Sequence, residues 1–187
     1  MAVAFQVKWR FLSSDAMNRC ISLIETFNNG LGKAVSWLSL LMVLTTFTVV
    51  VLRYAFDSGW VALQESVTYM HSMVFMLGAA YTLNHDGHVR VDILYQRLSR
   101  KGRAWVDCLG ALFLLLPVSG FIIWVSWHYV AESWSVLEGS RHSGGLPGLF
   151  LLKSLIIVMG IQLILQAVAL FFKNLSIILV TDNEEAG

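Results

Sequence analysis

Charged residues are scarce in this chain. Asp, Glu, Lys and Arg make up 13% of its 187 residues, whereas soluble globular domains carry about 25%. Hydrophobic residues reach 57%, which is typical of a membrane protein. The apolar runs use up most of the chain, so the sequence leaves no room for a soluble catalytic domain.

Cysteine is scarce as well, and motifs typical of enzymes and metal sites are lacking. Cys20 and Cys108 are too few for a disulfide framework or a four-cysteine zinc site. The sequence has no Gly-rich phosphate loop, zinc-ligand cluster or nucleophile triad. Polar Ser13-Ser14-Asp15 stands where a cleavable signal would need an apolar run, so the mature chain is expected to keep its N-terminus. We expect no catalytic residue, metal site, cofactor or nucleic-acid partner.

Four stretches lack charge for about the 20 residues that a helix needs to cross hydrocarbon. A further segment before them has apolar residues at three- and four-residue spacing, which is typical of a helix lying in the membrane interface. The sequence therefore predicts an all-α membrane protein with a single membrane domain over residues 1–187. The predicted bounds are about 14–29 for the interfacial helix and 33–55, 60–84, 104–131 and 148–172 for the transmembrane helices.

The basic residues predict the orientation of these helices. Ten of the thirteen Lys and Arg residues fall on one side of the predicted membrane, and Arg53, Arg141 and Lys153 fall on the other. Because basic residues concentrate in cytoplasmic segments, both termini and the loop at 85–103 are expected in the cytoplasm. Tryptophans near both ends of the predicted helices agree with this placement.

The second predicted transmembrane helix has one polar side. At about 100° per residue, its small and hydrogen-bonding residues fall within an arc of roughly 140°. Such residues favour contact between membrane helices, so this arc is expected to face a protein. The large apolar surface opposite, which includes Met70 and Ala80, suits lipid or loose packing. The arc consists of Gln64, Glu65, Thr68, His71, Ser72, Gly78, Ala79 and Thr82.

Glu65 is the unusual residue of this arc, because a carboxylate within hydrocarbon needs a partner. Arg53 and Lys153 reach a similar depth on neighbouring helices, so a paired cluster is geometrically allowed. Three interpretations stay open: a structural or partner-docking network, a proton or ion path, and snorkelling of the two basic side chains. In the other helices, Pro117 is expected to cause a kink, and Gln162 and Gln166 are candidates for bonding another helix.

Two other classes of function stay open. His71 and His85 are fourteen residues apart, so one helix could offer two ligands and form a haem b electron-transfer subunit. A self-associating channel or efflux unit is the other alternative, which would carry flux without a partner protein.

Several short motifs resemble the DctQ-like small membrane subunit of tripartite ATP-independent periplasmic (TRAP) transporters. The resemblance covers the whole four-helix layout, is sharpest between residues 53 and 95, and continues in Gly144-Gly145-Leu146-Pro147 and Lys153. The motifs are Arg53-Tyr54, Trp60, Gln64-Glu65, Leu77-Gly78-Ala79-Ala80-Tyr81-Thr82-Leu83 and His88-Val89-Arg90-Val91-Asp92.

The resemblance implies a role in transport and not a reaction. In that family a periplasmic binding protein delivers an organic anion, a large permease subunit moves it by a sodium-driven elevator motion, and the small subunit is a scaffold in the bacterial inner membrane. Carried over, Arg53, Tyr54 and Glu65 belong to an outer-side assembly motif. His88, Arg90 and Asp92 belong to the cytoplasmic end of the second helix, where Arg90 either lies near anionic lipid or only fixes topology.

The loop before the fourth predicted helix holds four charged or titratable residues on the outer side. They are expected either to touch the periplasmic binding protein or to stay solvated. These candidate docking residues are Glu132, Glu138, Arg141 and His142.

Overall fold

All regular structure in the described part of the chain is helical. The computed structural model describes residues 2–88 and 92–185, and the predicted all-α class is confirmed for them. The helices are α1 (Ala2–Ala55), α2 (Val61–Asn84), α3 (Asp92–Tyr95), α4 (Arg100–Gly110), a π-helical turn (Ala111–Leu115), α5 (Leu116–Ser135) and α6 (Leu149–Glu185).

Within residues 2–88 and 92–185, three stretches of helix are long and apolar enough to cross a membrane. They are Asn18–Ala55, Arg100–Ser135 and Leu149–Leu179. α2 has 24 residues, which is sufficient length, but its polar residues make it less apolar than these three. Of the four predicted transmembrane helices, three therefore meet the physical requirement by length and composition.

α1 corrects the predicted start of the bundle. The interfacial helix expected over 14–29 is not a separate element, because residues 14–29 and 33–55 lie in one continuous helix. Distant residues explain the continuity: Asn28 is bonded to Gln166 of α6, and Gly32 lies flat against the ring of Tyr81 in α2. These contacts hold the chain helical through Gly30 and Gly32, although glycine in a helix costs about 1 kcal/mol relative to alanine.

Pro117 distorts its helix without ending it. Proline removes one backbone donor and its ring collides with the carbonyl four residues earlier. The helix accommodates the proline with the π-helical turn Ala111–Leu115, which directly precedes Leu116-Pro117. Residues 100–135 thus form one irregular but continuous passage, longer than the predicted 104–131.

α6 is the central helix of the bundle. It packs against α1, α2, α4 and α5, and α1 also packs along α2. The interior consists mainly of small residues, which let membrane helices approach closely. Among the described residues, those buried include Ala80, Ala104, Ala111, Ser119, Ser133, Ala167 and Ala169.

The exterior of the bundle is strongly apolar. Many large side chains on α1 and α5 are more than half exposed, such as Leu44, Phe47, Phe121 and Trp124. Apolar surface on this scale is uncommon on soluble monomers and marks contact with lipid or protein. The chain therefore presents its most hydrophobic surface outward, as a membrane protein does.

Candidate functional site

Glu65 holds the loop between α5 and α6. Its carboxylate accepts a hydrogen bond from the Ser140 hydroxyl and a second, of 2.7 Å, from the backbone N–H of Leu146. The two arms of the loop are also joined directly, since the Ser140 N–H donates to the Leu146 carbonyl at 3.0 Å. Glu65 is thus the point at which α2 fixes the loop over the end of the bundle.

Gly145 lies against this contact. A Cβ atom added there would stand 2.7 Å from Glu65 Oε2 and still closer to Ser140 Oγ. Because these atoms belong to the bonded pair itself, neither can yield without breaking the bond. The resemblance motif Gly144-Gly145-Leu146-Pro147 therefore has a structural reason at Gly145.

Replacing Gly145 by Ala is expected to release the loop from Glu65. The added methyl group displaces Ser140 or the carboxylate, so the loop should exchange amide hydrogens faster and be cleaved sooner by added protease. Gly139→Ala is the control, because a Cβ there meets Pro147 at an ordinary 3.5 Å. Equal protection of the loop in both variants would contradict the role assigned to Glu65.

Glu138 and Lys153 form a second contact at the base of the same loop. The Lys153 ammonium pairs with Glu138 and lies 4.0 Å from the centre of the Tyr129 ring, and Ser133 donates to the same carboxylate at 2.7 Å. The Lys153 ammonium, followed by the Ser133 hydroxyl, holds the pKa of Glu138 below its ordinary value. The pair therefore stays charged at neutral pH and ties α5, the loop and α6 together.

The cluster of Arg53, Glu65 and Lys153 allowed by the sequence does not form. Lys153 pairs with Glu138, Glu65 bonds the loop, and Arg53 is exposed, with no ion pair to any residue in 2–88 and 92–185. The loop is the reason, because it folds back over the helix ends and brings its own donors and carboxylate to Glu65 and Lys153, which are both partly buried.

α2 presents part of its polar arc outward. Thr68, His71 and Phe75 are exposed, and a Cβ added at Gly78 would meet nothing within 4 Å. Gln64, Ser72 and Ala79 of the same arc are partly buried. We call Thr68, His71, Phe75 and Gly78 the α2 stripe.

The opposite side of α2, expected to suit lipid or loose packing, is packed at two positions. Met70 and Ala80 are buried inside the chain. α1 and α6 both pack against α2. The α2 stripe is thereby left facing out.

A chain of amides joins α1, α2 and α6 at the other end of the bundle. Asn28 donates to Gln166 at 2.8 Å, Gln166 donates to Asn84 at 3.1 Å, and Asn84 donates to Asn29 at 3.2 Å. Gln166, a candidate from the sequence, does bond other helices. Gln162, one turn earlier, is also buried, but its amide atoms have no partner in the described residues.

A protein-family model for the DctQ component of tripartite ATP-independent periplasmic transporters matches residues 42–176, well over half of the chain. The chain belongs to the DctQ family. The resemblance predicted from the motifs is therefore confirmed, and the chain is a multi-pass membrane component of a transporter. DctQ membership gives no support to the haem alternative.

A curated relative supports the same assignment. A Haemophilus influenzae protein, provisionally named a TRAP transporter small permease protein, is 33% identical over 76 residues. The alignment covers 41% of this chain and 47% of that protein, so it spans about half of the relative's length. No solved structure matches the chain significantly.

The remaining DctQ motif residues lie at the two ends of α2 and its neighbours. Tyr54 and Trp60 are exposed where α1 gives way to α2, and His88 is exposed beyond the other end of α2. Arg90 lies outside the described residues, and Asp92 is described only by its backbone position at the start of α3. Their roles stay predictions.

The docking candidates divide into two kinds. Glu132, Arg141 and His142 are exposed, whereas Glu138 turns inward to Lys153. A contact with a periplasmic protein stays a prediction for the three exposed residues, while Glu138 has a structural partner in this chain.

Sequence reasoning missed the partners of both polar clusters. Ser140 and Leu146 bind Glu65, and Asn28, Asn29 and Asn84 build the amide chain. The loop glycines were a usable signal for Ser140, since a tight loop brings backbone donors together. The asparagines, which lie near the ends of the predicted helices, were a weaker signal for the amide chain.

Proposed function

We propose that this chain is the small, non-catalytic scaffold subunit of a sodium-coupled TRAP transporter that imports an organic anion. It braces a large elevator-type permease subunit, which uses the sodium gradient, and contributes to docking of a periplasmic binding protein. No cofactor is assigned to the chain itself. Family membership supports the transporter component, and the solute, the coupling and the docking are the proposal.

The observation that carries the scaffold role is the α2 stripe. Exposed Thr68 and His71 within an apolar helix are costly against lipid, and they are better satisfied by a second protein. The open space over Gly78 lets another helix approach the backbone closely. The bonds of Glu65 to Ser140 and Leu146 make it a support for the outer face. These bonds are compatible with a further contact to a partner protein.

Four membrane crossings follow if α2 crosses beside α1 and α6. Its 24 residues are long enough, and three of its polar residues have places away from lipid or on the α2 stripe: Glu65 bonds the loop, Asn84 bonds the amide chain, and His71 lies on the α2 stripe. The chain would then lie in a bacterial inner membrane with both termini in the cytoplasm. Cys20, an exposed free thiol, tests this orientation. A membrane-impermeant maleimide should label it only from the cytoplasmic side, and labelling only from the outside would overturn it.

Co-purification tests the scaffold role. Tagged chain should extract together with a large permease subunit, and Gly78→Phe, which fills the open space, should reduce the recovered partner about tenfold. Val43→Phe on α1 is the matched control, since Val43 is 61% exposed and lies outside the α2 stripe. If Val43→Phe removes the partner and Gly78→Phe does not, the interface lies on α1.

The same preparation separates the scaffold from the channel alternative. The chain reconstituted without a partner should give no solute or ion flux. Flux from the chain alone would reject the scaffold role in favour of a self-associating channel.

A further inference from the structure

Two adjoining cavities open where α2, α4 and α6 meet. The larger has a volume of about 580 Å³ and the smaller about 440 Å³. Asp107, Asn174 and Ile177 line both, so the two form one groove. Apolar side chains such as Leu114 and Leu170 line the larger cavity, and we call the whole space the α4–α6 groove.

The smaller cavity is basic. Arg100 and Arg103 both line it. Arg103 donates to the carbonyls of Gln96 and Leu98 at 2.9 and 3.1 Å, and these neutral acceptors do not balance its charge. Within residues 2–88 and 92–185, no acidic side chain forms an ion pair with either arginine.

The balance of charge in the smaller cavity favours an anion. The carboxylate shared by both cavities, Asp107, accepts a 2.6 Å hydrogen bond from the Tyr95 hydroxyl. In the larger cavity, Lys173 is paired with Glu25 at 3.2 Å, and Asp86 adds a carboxylate. In the smaller cavity, Arg100 and Arg103 against Asp107 leave an excess of one positive charge.

The groove also lies at the depth that a phospholipid occupies, from the headgroups into the hydrocarbon. Lys173 lies 24 residues after Leu149, the first residue of α6, which is about 36 Å along the helix axis and slightly more than the thickness of membrane hydrocarbon. The basic cavity then falls among the headgroups, while Leu114 and Leu170 lie within hydrocarbon. Trp105, exposed on α4, marks the same interface.

We infer that the α4–α6 groove binds an anionic phospholipid of the cytoplasmic leaflet, with its phosphate at Arg100 and Arg103 and an acyl chain in the larger cavity. The inference rests on the orientation proposed above. Basic pockets between membrane helices on the cytoplasmic side are suited to lipid phosphates. A free phosphate would use only the smaller cavity and leave the apolar one without an occupant.

Lipid retention tests the inference. The full chain, purified with its large subunit, is exchanged into phosphatidylglycerol or phosphatidylethanolamine, and bound lipid is counted by native mass spectrometry. Arg100→Gln should lower retained phosphatidylglycerol about fivefold, as expected for one arginine at an anionic surface. Arg97→Gln, a basic residue of the same segment that does not line the groove, should not. Equal retention in the two variants, or equal retention of both lipids, overturns the inference.

A second pair of variants tests the acyl chain. Leu114 and Phe113 are each 67% exposed, but Leu114 lines the groove, while Phe113 is absent from the lining of both cavities. Leu114→Trp should reduce retention of phosphatidylglycerol, and Phe113→Trp should leave it unchanged. Stabilisation by inorganic phosphate equal to that by the lipid, or cross-linking of Leu114→Cys to the large subunit in the lipid-filled complex, also overturns the inference.

The two proposals fail in different ways. If the large subunit does not co-purify, the scaffold role fails, and retention measured on the chain alone still decides whether the groove binds lipid. If the complex forms and Arg100→Gln keeps its phosphatidylglycerol, the lipid inference fails and the scaffold role stands.

Discussion

Gly32→Ala is expected to disrupt the contact between α1 and α2. A Cβ at position 32 would lie 2.6 Å from the Tyr81 Cβ and closer still to the first ring carbon. These atoms are near the root of the side chain and cannot swing away, so the helices must separate. Overpacking of this kind costs about 1–3 kcal/mol, which should appear as a lower midpoint of thermal unfolding in detergent.

Gly30→Ala is the matched control for this experiment. It lies two residues earlier in the same helix, and an added Cβ there meets nothing within 4 Å. Alanine should stabilise an open helical position by up to about 1 kcal/mol. A lower midpoint in both variants would show that general helix changes and not the Tyr81 contact are responsible.

Gln166→Leu is expected to lower the stability of the chain, and Gln162→Leu is not. Gln166 bonds both Asn28 and Asn84, so its loss leaves the buried Asn28 amide without a partner and should cost about 1–3 kcal/mol. Gln162 is 3% exposed and its amide has no partner, so leucine of similar volume removes an unsatisfied group. This variant should be as stable as the unaltered chain or more so.

Thermal unfolding of the two variants side by side measures the difference. They lie one helical turn apart on α6, so effects of helix propensity and of membrane depth are nearly the same for both. A loss of stability of equal size in both would contradict the amide chain as the interaction that joins the three helices.

The sequence predicted the transport class and most helix positions because these depend on local signals. Runs of apolar residues place the starts of α2 and α6 within one residue, and the start of the third predicted helix within four residues of α4. The basic residues supply the proposed orientation. The continuity of α1 was not predictable in this way, since it depends on Asn28 meeting Gln166, which is 138 residues away.

The polar contacts of Glu65 were missed for a related reason. Glu65 required a partner, and the sequence offered Arg53 and Lys153 as charged candidates at similar depth. The actual partners are a hydroxyl and a backbone N–H supplied by a loop 75 and 81 residues later. A backbone donor such as the Leu146 N–H leaves no trace in side-chain patterns, so the fold was needed to identify it.

The small interior residues also bear on how this protein would behave beside the moving partner proposed above. Alanine has no side-chain rotamers to lose or exchange, and Ala80, Ala104, Ala111, Ala167 and Ala169 are all buried at the helix contacts. Switching proteins need two alternative packings of comparable energy, and an alanine seam offers few. We therefore expect displacement of the proposed partner to slide along the apolar outer surface and not to deform the bundle.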